Sequence, residues 1–376
     1  LENVEKRASF HSLTDKKKSI IQFMTTLFTP YILKNKEITN RIVFPPVVCF
    51  HYAGDDGIVT ERNLEHYAQR AEGGAGIIIV EATAVWKEGR LAPFQLGIWS
   101  DEHIPGLQKL AKIIKQGGAL ALIQIHHAGL VTPESVHPDA CGPSANDQNP
   151  RSRALSVEEI QMITTAFIAG AARAKQAGFD GIELHGAHGY LLNQFASSYF
   201  NTRVDEYGVD LAGRLKLATD IVTGIRHACG EDFIIDYRLG ANSPTLDNGV
   251  EIAKKLERAG VDLLHVSHGG SLQNLPRPAK DFPFNWIVYS GIEIRKHVGI
   301  PVILVNEIKT EERASYLINN NFAEFVALGR PFLADPHWVL HTKNNQPVTI
   351  CSSCKPKCKW YENSDLCPAV QRRKKA

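Results

Sequence analysis

A chain of 376 residues has room for one large domain or two small ones, and 44% hydrophobic with 22% charged residues suits a chain that buries a sizeable core. The formal net charge of +2 supplies no broad basic field, which argues against a nucleic-acid surface, and no apolar run reaches the length of a membrane helix. Of the seven cysteines, Cys49, Cys141 and Cys229 stand alone whereas Cys351, Cys354, Cys358 and Cys367 cluster. Scattered thiols without a secretory signal point to a reducing cytoplasm rather than a disulfide framework.

Taken in chain order, Lys16, Lys17 and Lys18 ahead of Ser19-Ile20-Ile21-Gln22-Phe23 faintly suggest a signal peptide. Gln22, Thr25 and Thr26 interrupt the apolar stretch, however, and no small-residue cleavage site follows. Residues 1–23 therefore read as an upstream extension or appended residues, with the fold starting near Met24 and running over 24–345. Short β-rich apolar runs then alternate with helical patterns. The expected strands are Ile42–Phe44, Gly76–Glu81, Ala121–His126, Gly181–Leu184, Phe233–Arg238, Asp262–Ser267, Pro301–Asn306 and Phe325–Leu328.

Helical spacing fits Arg62–Ala71, Gly106–Gln116, Leu211–His227, Ile252–Ala259, Ser290–Val298 and Glu311–Asn319. One further helix starts at Ser156 with Glu159 three residues on, a capping box, keeps Ile160, Ile163 and Phe167 at helical spacing, and closes at Gly178. Strands and helices alternating eightfold over about 300 residues predict an α/β fold, a single (β/α)8 TIM barrel. An open doubly wound sheet would carry a glycine-rich dinucleotide turn after its first strand, and none is present. Between His127 and Ser156 lies a long connection with Pro133, Pro138, Pro143 and Pro150, which reads as a loop covering substrate.

The most informative stretch is His185-Gly186-Ala187-His188-Gly189-Tyr190, where the fourth strand gives way to a loop. In a parallel α/β fold that is the ligand side. Two imidazoles three residues apart can present N–H donors to one oxygen, and a nearby tyrosine can supply a proton. On spacing alone, a metal pair or two satisfied loop histidines remain open.

That stretch, followed by Tyr199-Phe200-Asn201-Thr202-Arg203-Val204-Asp205-Glu206-Tyr207-Gly208, resembles the Old Yellow Enzyme family of FMN-dependent ene-reductases. Asn40-Arg41-Ile42-Val43-Phe44-Pro45-Pro46, Val80-Glu81-Ala82, Gln124 with His127-Ala128-Gly129, and Gly329-Arg330-Pro331 with Asp335-Pro336 resemble other parts of that family in the same order, over roughly Leu27 to Trp338. The resemblance implies FMN as cofactor and NADH or NADPH as hydride donor. Pro46, Val47, Val48 and Ala82 would line the flavin ring, Gln124 its pyrimidine edge and Arg238 its N1 and O2. Asn306, Gly329 and Arg330 would hold the phosphate. Hydride would pass from flavin N5 to an activated alkene, an enone, nitro or dienoyl compound, while His185 and His188 hold the substrate oxygen and Tyr190 gives the proton. The expected partners are small molecules, with no nucleic acid and no membrane, and a homo-oligomer fits as well as a monomer.

The chain departs from the family pattern at several positions. Val48 stands where relatives often place a flavin-contacting Thr or Cys, and Cys49, one residue on, is expected on the opposite face. Leu130 replaces an arginine, Val209 replaces a glycine, and Asn306-Glu307 replaces a glycine pair at the phosphate loop, where Glu307 would repel the phosphate unless its side chain turns away.

Beyond the barrel, over 346–376, Cys351-x2-Cys354-x3-Cys358-x8-Cys367 is spaced for a metal or iron–sulfur site. It resembles the [4Fe-4S] motif of dienoyl-CoA-reductase-like relatives with a shorter last gap; zinc and plain reduced thiols are the other readings. Those relatives continue into nucleotide-binding domains beyond the point where this sequence ends, so an electron-relay partner is expected to be separate. The rival functions are a dienoyl reductase or flavin oxidase subunit needing such a partner, an iron–sulfur electron carrier, and a non-flavin phosphate-binding barrel. The last would want a Schiff-base lysine or an acid–base pair at a strand end, and the sequence marks no such lysine.

Overall fold

The computed structural model describes residues 25–146, 148–271 and 273–375; the expected extension over 1–23 and the start at Met24 lie outside the described residues. Eight parallel strands close into a barrel: β1 (Ile42–Phe44), β2 (Ile77–Ala84), β3 (Leu120–His126), β4 (Gly181–Gly186), β5 (Ile234–Gly240), β6 (Leu263–Ser267), β7 (Val302–Val305) and β8 (Phe325–Ala327). Each strand pairs with its sequence neighbour, and Ala327 opposite Val43 closes the ring. Helices cover the outer face and side chains fill the inner one. The strands therefore read as continuous apolar runs rather than alternating ones, and all eight residues of β2 are buried.

Seven helices follow the strands in turn: α1 (Glu61–Glu72), α2 (Ile104–Gln116), α3 (Val157–Gln176), α4 (Leu211–Cys229), α5 (Leu246–Ala259), α6 (Trp286–Arg295) and α7 (Glu311–Asn319). The capping box of α3 forms as read, with Ser156 N donating to Glu159 Oε2 at 2.8 Å and Glu159 N to Ser156 Oγ at 3.2 Å. Helix α5 starts six residues before the expected Ile252, because Thr245 Oγ caps Asn248 N at 3.3 Å. Its early turn includes Gly249, where a Cβ would lie 2.0 Å from the carbonyl oxygen of Ala241, so a residue that weakens helical propensity is needed for close packing. Helix α6 likewise starts earlier, at an Asn285 cap.

Inside the barrel, Val43, Ile77, Ile79, Leu120, Leu122, Ile234, Leu263, Ile303 and Phe325 form a core at the N-terminal end of the strands, joined by Leu33 and Ile38. Those two belong to an antiparallel hairpin, Tyr31–Leu33 with Lys36–Ile38, which plugs that end. The C-terminal end is left for chemistry. After β8 come two short helices, Gly329–Ala334 and Trp338–Lys343. The chain then folds back so that Trp360 Nε1 donates to the carbonyl of Val48 at 3.0 Å, before a last helix over Pro368–Lys375. Among the described residues, no helix is long and apolar enough to cross a membrane.

Candidate active site

A cavity of about 450 Å³ opens at the C-terminal ends of the strands. The segment after β1 brings Pro46, Val47 and Val48 to it, β2 brings Ala82, β3 Gln124 and β5 Arg238. His185, His188 and Tyr190 enter from β4 and its turn, Asn306 from the end of β7, and Gly329 and Arg330 from the end of β8. Twelve positions spread over almost three hundred residues thus face one space. Cys49 does not: it is 1% exposed, and its backbone N–H donates to Glu81 Oε2 at 2.7 Å, as alternation along the strand suggested. The long connection after β3 sits to one side. It carries a short turn at Gly129–Val131 and a strand pair, Ala140–Gly142 with Ser152–Ala154, and packs on helix Leu191–Ala196, where Leu130 N donates to Gln194 Oε1 at 3.0 Å. None of its described residues borders the cavity, so the expected cover is not what the structure shows.

The turn after β4 explains why two imidazoles and a phenol meet. At Gly186 a Cβ would lie 2.1 Å from the Tyr237 ring, so only glycine lets the strand end there. His188 and Gly189 then take φ of 62° and 76°, reversing the chain, with His188 N bonded to the carbonyl of His268 at 2.9 Å. The rings form a chain of contacts: His126 Nδ1 to His185 Nδ1 at 3.1 Å, His185 Nε2 to His188 Nδ1 at 2.8 Å, and His188 Nε2 to Ser267 Oγ at 2.7 Å. Burial drives His185 and His188 well below their usual pKa and His126 down to about 3, so all three rings are neutral near pH 7. Each neutral ring has one donor and one acceptor, so a single proton lies between His185 and His188. Tyr190 packs edge-on against both His126 and His185, with ring centroids 4.5 and 4.7 Å apart. Its hydroxyl has no hydrogen-bond partner among the described residues, and burial raises its pKa above 10.

Beneath Gln124 and Arg238 lies a fully buried polar group. Gln124 Nε2 donates to Glu183 Oε1 at 2.5 Å and His265 Nδ1 meets Glu183 Oε2 at 2.6 Å. Asp236 stands opposite Glu183 in the register. Burial and the charge of Glu183 push the Asp236 carboxyl well above its usual range. Burial lowers His265 to about 4 and keeps it neutral. Glu183, Asp236 and His265 are, among the described residues, the only three groups with metal-ligand atoms within 4.8 Å of one another. Both oxygens of Glu183 are already engaged, which makes this a hydrogen-bonded network rather than an ion site. It leaves Gln124 Oε1 and Arg238 Nε buried without partners at the cavity. An orphaned acceptor and an orphaned cationic donor from residues lining one cavity fit the pyrimidine edge of a flavin, which carries both an N–H and carbonyl oxygens.

The opposite end is cationic and already occupied. Asn306 and Glu307 hold φ of 95° and 55°, left-handed values that glycine takes more readily, and Glu307 turns onto Arg330 and onto Lys309, the latter at 2.5 Å. Although burial raises the Glu307 carboxyl, Lys309 and Arg330 hold it below its usual range. A phosphate here would compete with this carboxylate for the same cations.

The cysteine segment supplies part of the wall, which sequence reading missed. Cys358, Trp360 and Tyr361 border the cavity, as do Phe50, Leu91, Ser267, His268 and Lys309. Ser267 and His268 end β6 and were open to the same strand-end rule that marked Tyr190; Trp360 and Tyr361 carry no such signal. All seven cysteines are free. The Cys358 thiol, raised first by burial, is raised further by the charges of Cys351, Cys367 and Cys354, which places the four together. No three of their sulfurs come within 4.8 Å of one another, wider than one zinc ion with bonds of about 2.3 Å requires.

A closed parallel barrel with such a cavity at its C-terminal mouth defines a TIM-barrel protein whose ligand site lies at the strand ends. The model of the NADH:flavin oxidoreductase / NADH oxidase family matches residues 26–348, and the chain belongs to that family. It is 40% identical over 347 residues to an NADH oxidase of Thermoanaerobacter brockii, a match that takes in 88% of this chain and 53% of that protein. To an NADPH dehydrogenase of Bacillus cytotoxicus it is 37% identical over 320 residues, 84% of this chain and 91% of that one. Among solved structures, a 2-naphthoyl-CoA reductase in complex with 2-naphthoyl-CoA superposes with a TM-score of 0.84 at 26% identity, over 93% of this chain and 58% of that one. Morphinone reductase in complex with tetrahydroNAD gives 0.74 at 26% identity over 87% and 93%. The Zymomonas mobilis old yellow enzyme homologue gives 0.75 at 26% over 91% and 99%. The chain therefore spans little more than half of the NADH oxidase and of the naphthoyl-CoA reductase, and nearly all of the other three.

Proposed function

We propose that this chain is the FMN-binding barrel of an NAD(P)H-dependent oxidoreductase that reduces activated C=C bonds in α,β-unsaturated carbonyl, nitro or dienoyl compounds. One observation carries the reading: a protonated Tyr190, the His185–His188 pair and the unpartnered Gln124 Oε1 and Arg238 Nε share a single cavity. Flavin, when bound, supplies the hydride that NADH or NADPH delivers to it. Gln124 and Arg238 would hold its pyrimidine edge, the Arg238 cation favouring negative charge there. Pro46, Val47, Val48 and Ala82 would pack on its ring, and Asn306, Gly329 and Arg330 would hold its phosphate.

The substrate oxygen is the task of the histidines. If it enters between His185 Nε2 and His188 Nδ1, both inner nitrogens can donate to it, provided the outer nitrogens accept. Both outer partners, His126 Nδ1 and Ser267 Oγ, have a hydrogen to give. Neither ring needs to be charged, in keeping with their burial. Tyr190 would give its proton to the substrate carbon, and a phenol with its pKa held above 10 does so only to a strong base such as a developing carbanion.

A second reading of the same site is favoured by the place of Cys358 in the cavity wall with three more cysteines beside it. In it, Cys351, Cys354, Cys358 and Cys367 hold a [4Fe-4S] cluster, and electrons pass between the cavity and a separate partner domain or subunit. Seven free thiols favour a reducing, cytoplasmic setting for either reading.

The test is the visible spectrum of anaerobically purified protein, before and after NADPH and then NADH. Flavin bands that bleach with either nucleotide support the reductase reading, and an added broad shoulder lost in Cys354→Ser supports the cluster. Protein that neither carries nor takes up FMN overturns both.

A further inference from the structure

A second cavity, of about 400 Å³, lies outside the barrel between α1 and the C-terminal segment, touching the first only through Trp360. Its wall is cationic. Arg62, Arg70 and Arg373 face it together with His66; the carboxylates are Glu65 and Asp365, and Asp365 is held by Arg62 at 3.0 Å.

Arg70 is the anomaly. It is 2% exposed, makes no salt bridge with a described carboxylate, and leaves its Nε buried without a partner; a second guanidinium nitrogen is spent on the carbonyl of His66 in its own helix. Burial pulls its pKa only down to about 10, with repulsion from Arg373 in the same direction, so it stays charged at neutral pH. A buried charge with no counter-ion costs several kcal/mol, on the order of a domain's whole stability, and native folds seldom keep one. His66 adds a second orphan: it is 5% exposed, its Nε2 has no partner, and burial beside Arg70 keeps the ring neutral. Arg373, tied to the carbonyls of Leu333 and Ala334, brings the second cation. Two buried, unpartnered nitrogens and two unpaired guanidiniums on one cavity are the arrangement that a bound oxyanion would complete. The space exceeds that of a lone oxyanion, and the rings of Tyr52 and Trp360, with centroids 6.4 Å apart, border the remainder.

We propose that this cavity is a binding site for a phosphoryl group, taken up as free phosphate or as a small phosphate ester, with Arg70 and Arg373 as its cations and His66 as a neutral donor. The site is independent of the flavin reading, since none of these three residues borders the first cavity.

The experiment is calorimetric titration of the flavin-loaded protein with inorganic phosphate and with adenosine monophosphate, ionic strength held constant with sodium chloride. Arg330→Gln protein is titrated in parallel, so that uptake at the first cavity is recognised. Saturable binding that survives Arg330→Gln and weakens about tenfold or more in Arg373→Ala and in Arg70→Gln is expected. Arg373 is half-exposed, so its variant keeps the test open should Arg70→Gln fail to fold. Tighter binding of the monophosphate identifies an ester as the ligand; equal affinities identify free phosphate. No saturable binding, or binding lost in Arg330→Gln and untouched in Arg373→Ala, overturns the site.

Discussion

Gln124 Nε2 donates to Glu183 Oε1 at 2.5 Å, and this one contact decides which end of the amide meets the cavity. A carboxylate only accepts, so the nitrogen must face Glu183 and the oxygen must face the ligand. In Glu183→Gln the partner can itself donate, and the Gln124 amide is free to turn. FMN affinity, read by fluorescence titration, is expected to fall about tenfold, the worth of one charge-assisted hydrogen bond. Unaltered affinity would remove Glu183 from the positioning of Gln124.

Tyr190→Phe separates proton delivery from hydride delivery. Stopped-flow reduction of the flavin by NADPH should keep its rate, while alkene turnover drops by about two to four orders of magnitude, the usual yield of a positioned general acid. Equal turnover in both proteins would mean that the proton comes from elsewhere.

Glu307 holds the cations that a phosphate would need. Glu307→Gln removes the competing charge, and FMN should bind about tenfold more tightly while riboflavin, which lacks the phosphate, binds as before. Parallel titrations with the two ligands check this; an equal change for both would place the effect away from the phosphate.

Glu81 is fully buried, and burial raises its carboxyl to about 7 against hydrogen bonds from Cys49 that pull the other way. The folded state therefore holds a proton that the unfolded chain has released. This contribution to stability is complete below the unfolded carboxylate value of about 4.5 and is lost as the pH rises through about 7, a difference of about 3 kcal/mol. Denaturant unfolding of wild type and Glu81→Gln across that range should show the wild type losing stability relative to the variant as pH rises. Parallel curves would show that Glu81 ionises alike in both states.

Val209 sits at φ 54° and is 75% exposed, so a β-branched side chain bears left-handed backbone strain with no packing to offset it. Val209→Gly should raise stability by about 1 kcal/mol, seen as a higher denaturation midpoint with unchanged slope. A lower midpoint would mean that the flexibility glycine adds to the unfolded chain outweighs the strain.

Much of this was legible in the sequence because the fold covers both faces of every strand. Eight apolar runs bounded by helices leave few arrangements other than a closed barrel, and strand ends then mark the mouth. His185, His188 and Tyr190 were found by that rule, whereas Gln124 and Arg238 came from the family resemblance. Contacts between side chains of different strands were not legible. That His185 and His188 bond to each other depends on His126 and Ser267 holding their outer nitrogens, and those partners come from β3 and β6. Glu183, Asp236 and His265 did leave a trace, as polar residues inside otherwise apolar strands. The connection after β3 misled because its length suggested a cover, whereas its own strand pair and the helix at Leu191–Ala196 hold it to one side. Nothing local in the cysteine segment indicated that it would wall the cavity.

The bond from Trp360 to the Val48 carbonyl joins positions 312 residues apart. Ribosomes add residues one after another, so the segment after β1 emerges long before its partner exists. Until Cys358, Trp360 and Tyr361 have been made, the mouth of the barrel lacks one side and anything resting there can leave through it. Secure retention of a cofactor is thereby deferred until synthesis has passed this point. A chain released early could complete all eight strands and still hold its prosthetic group poorly.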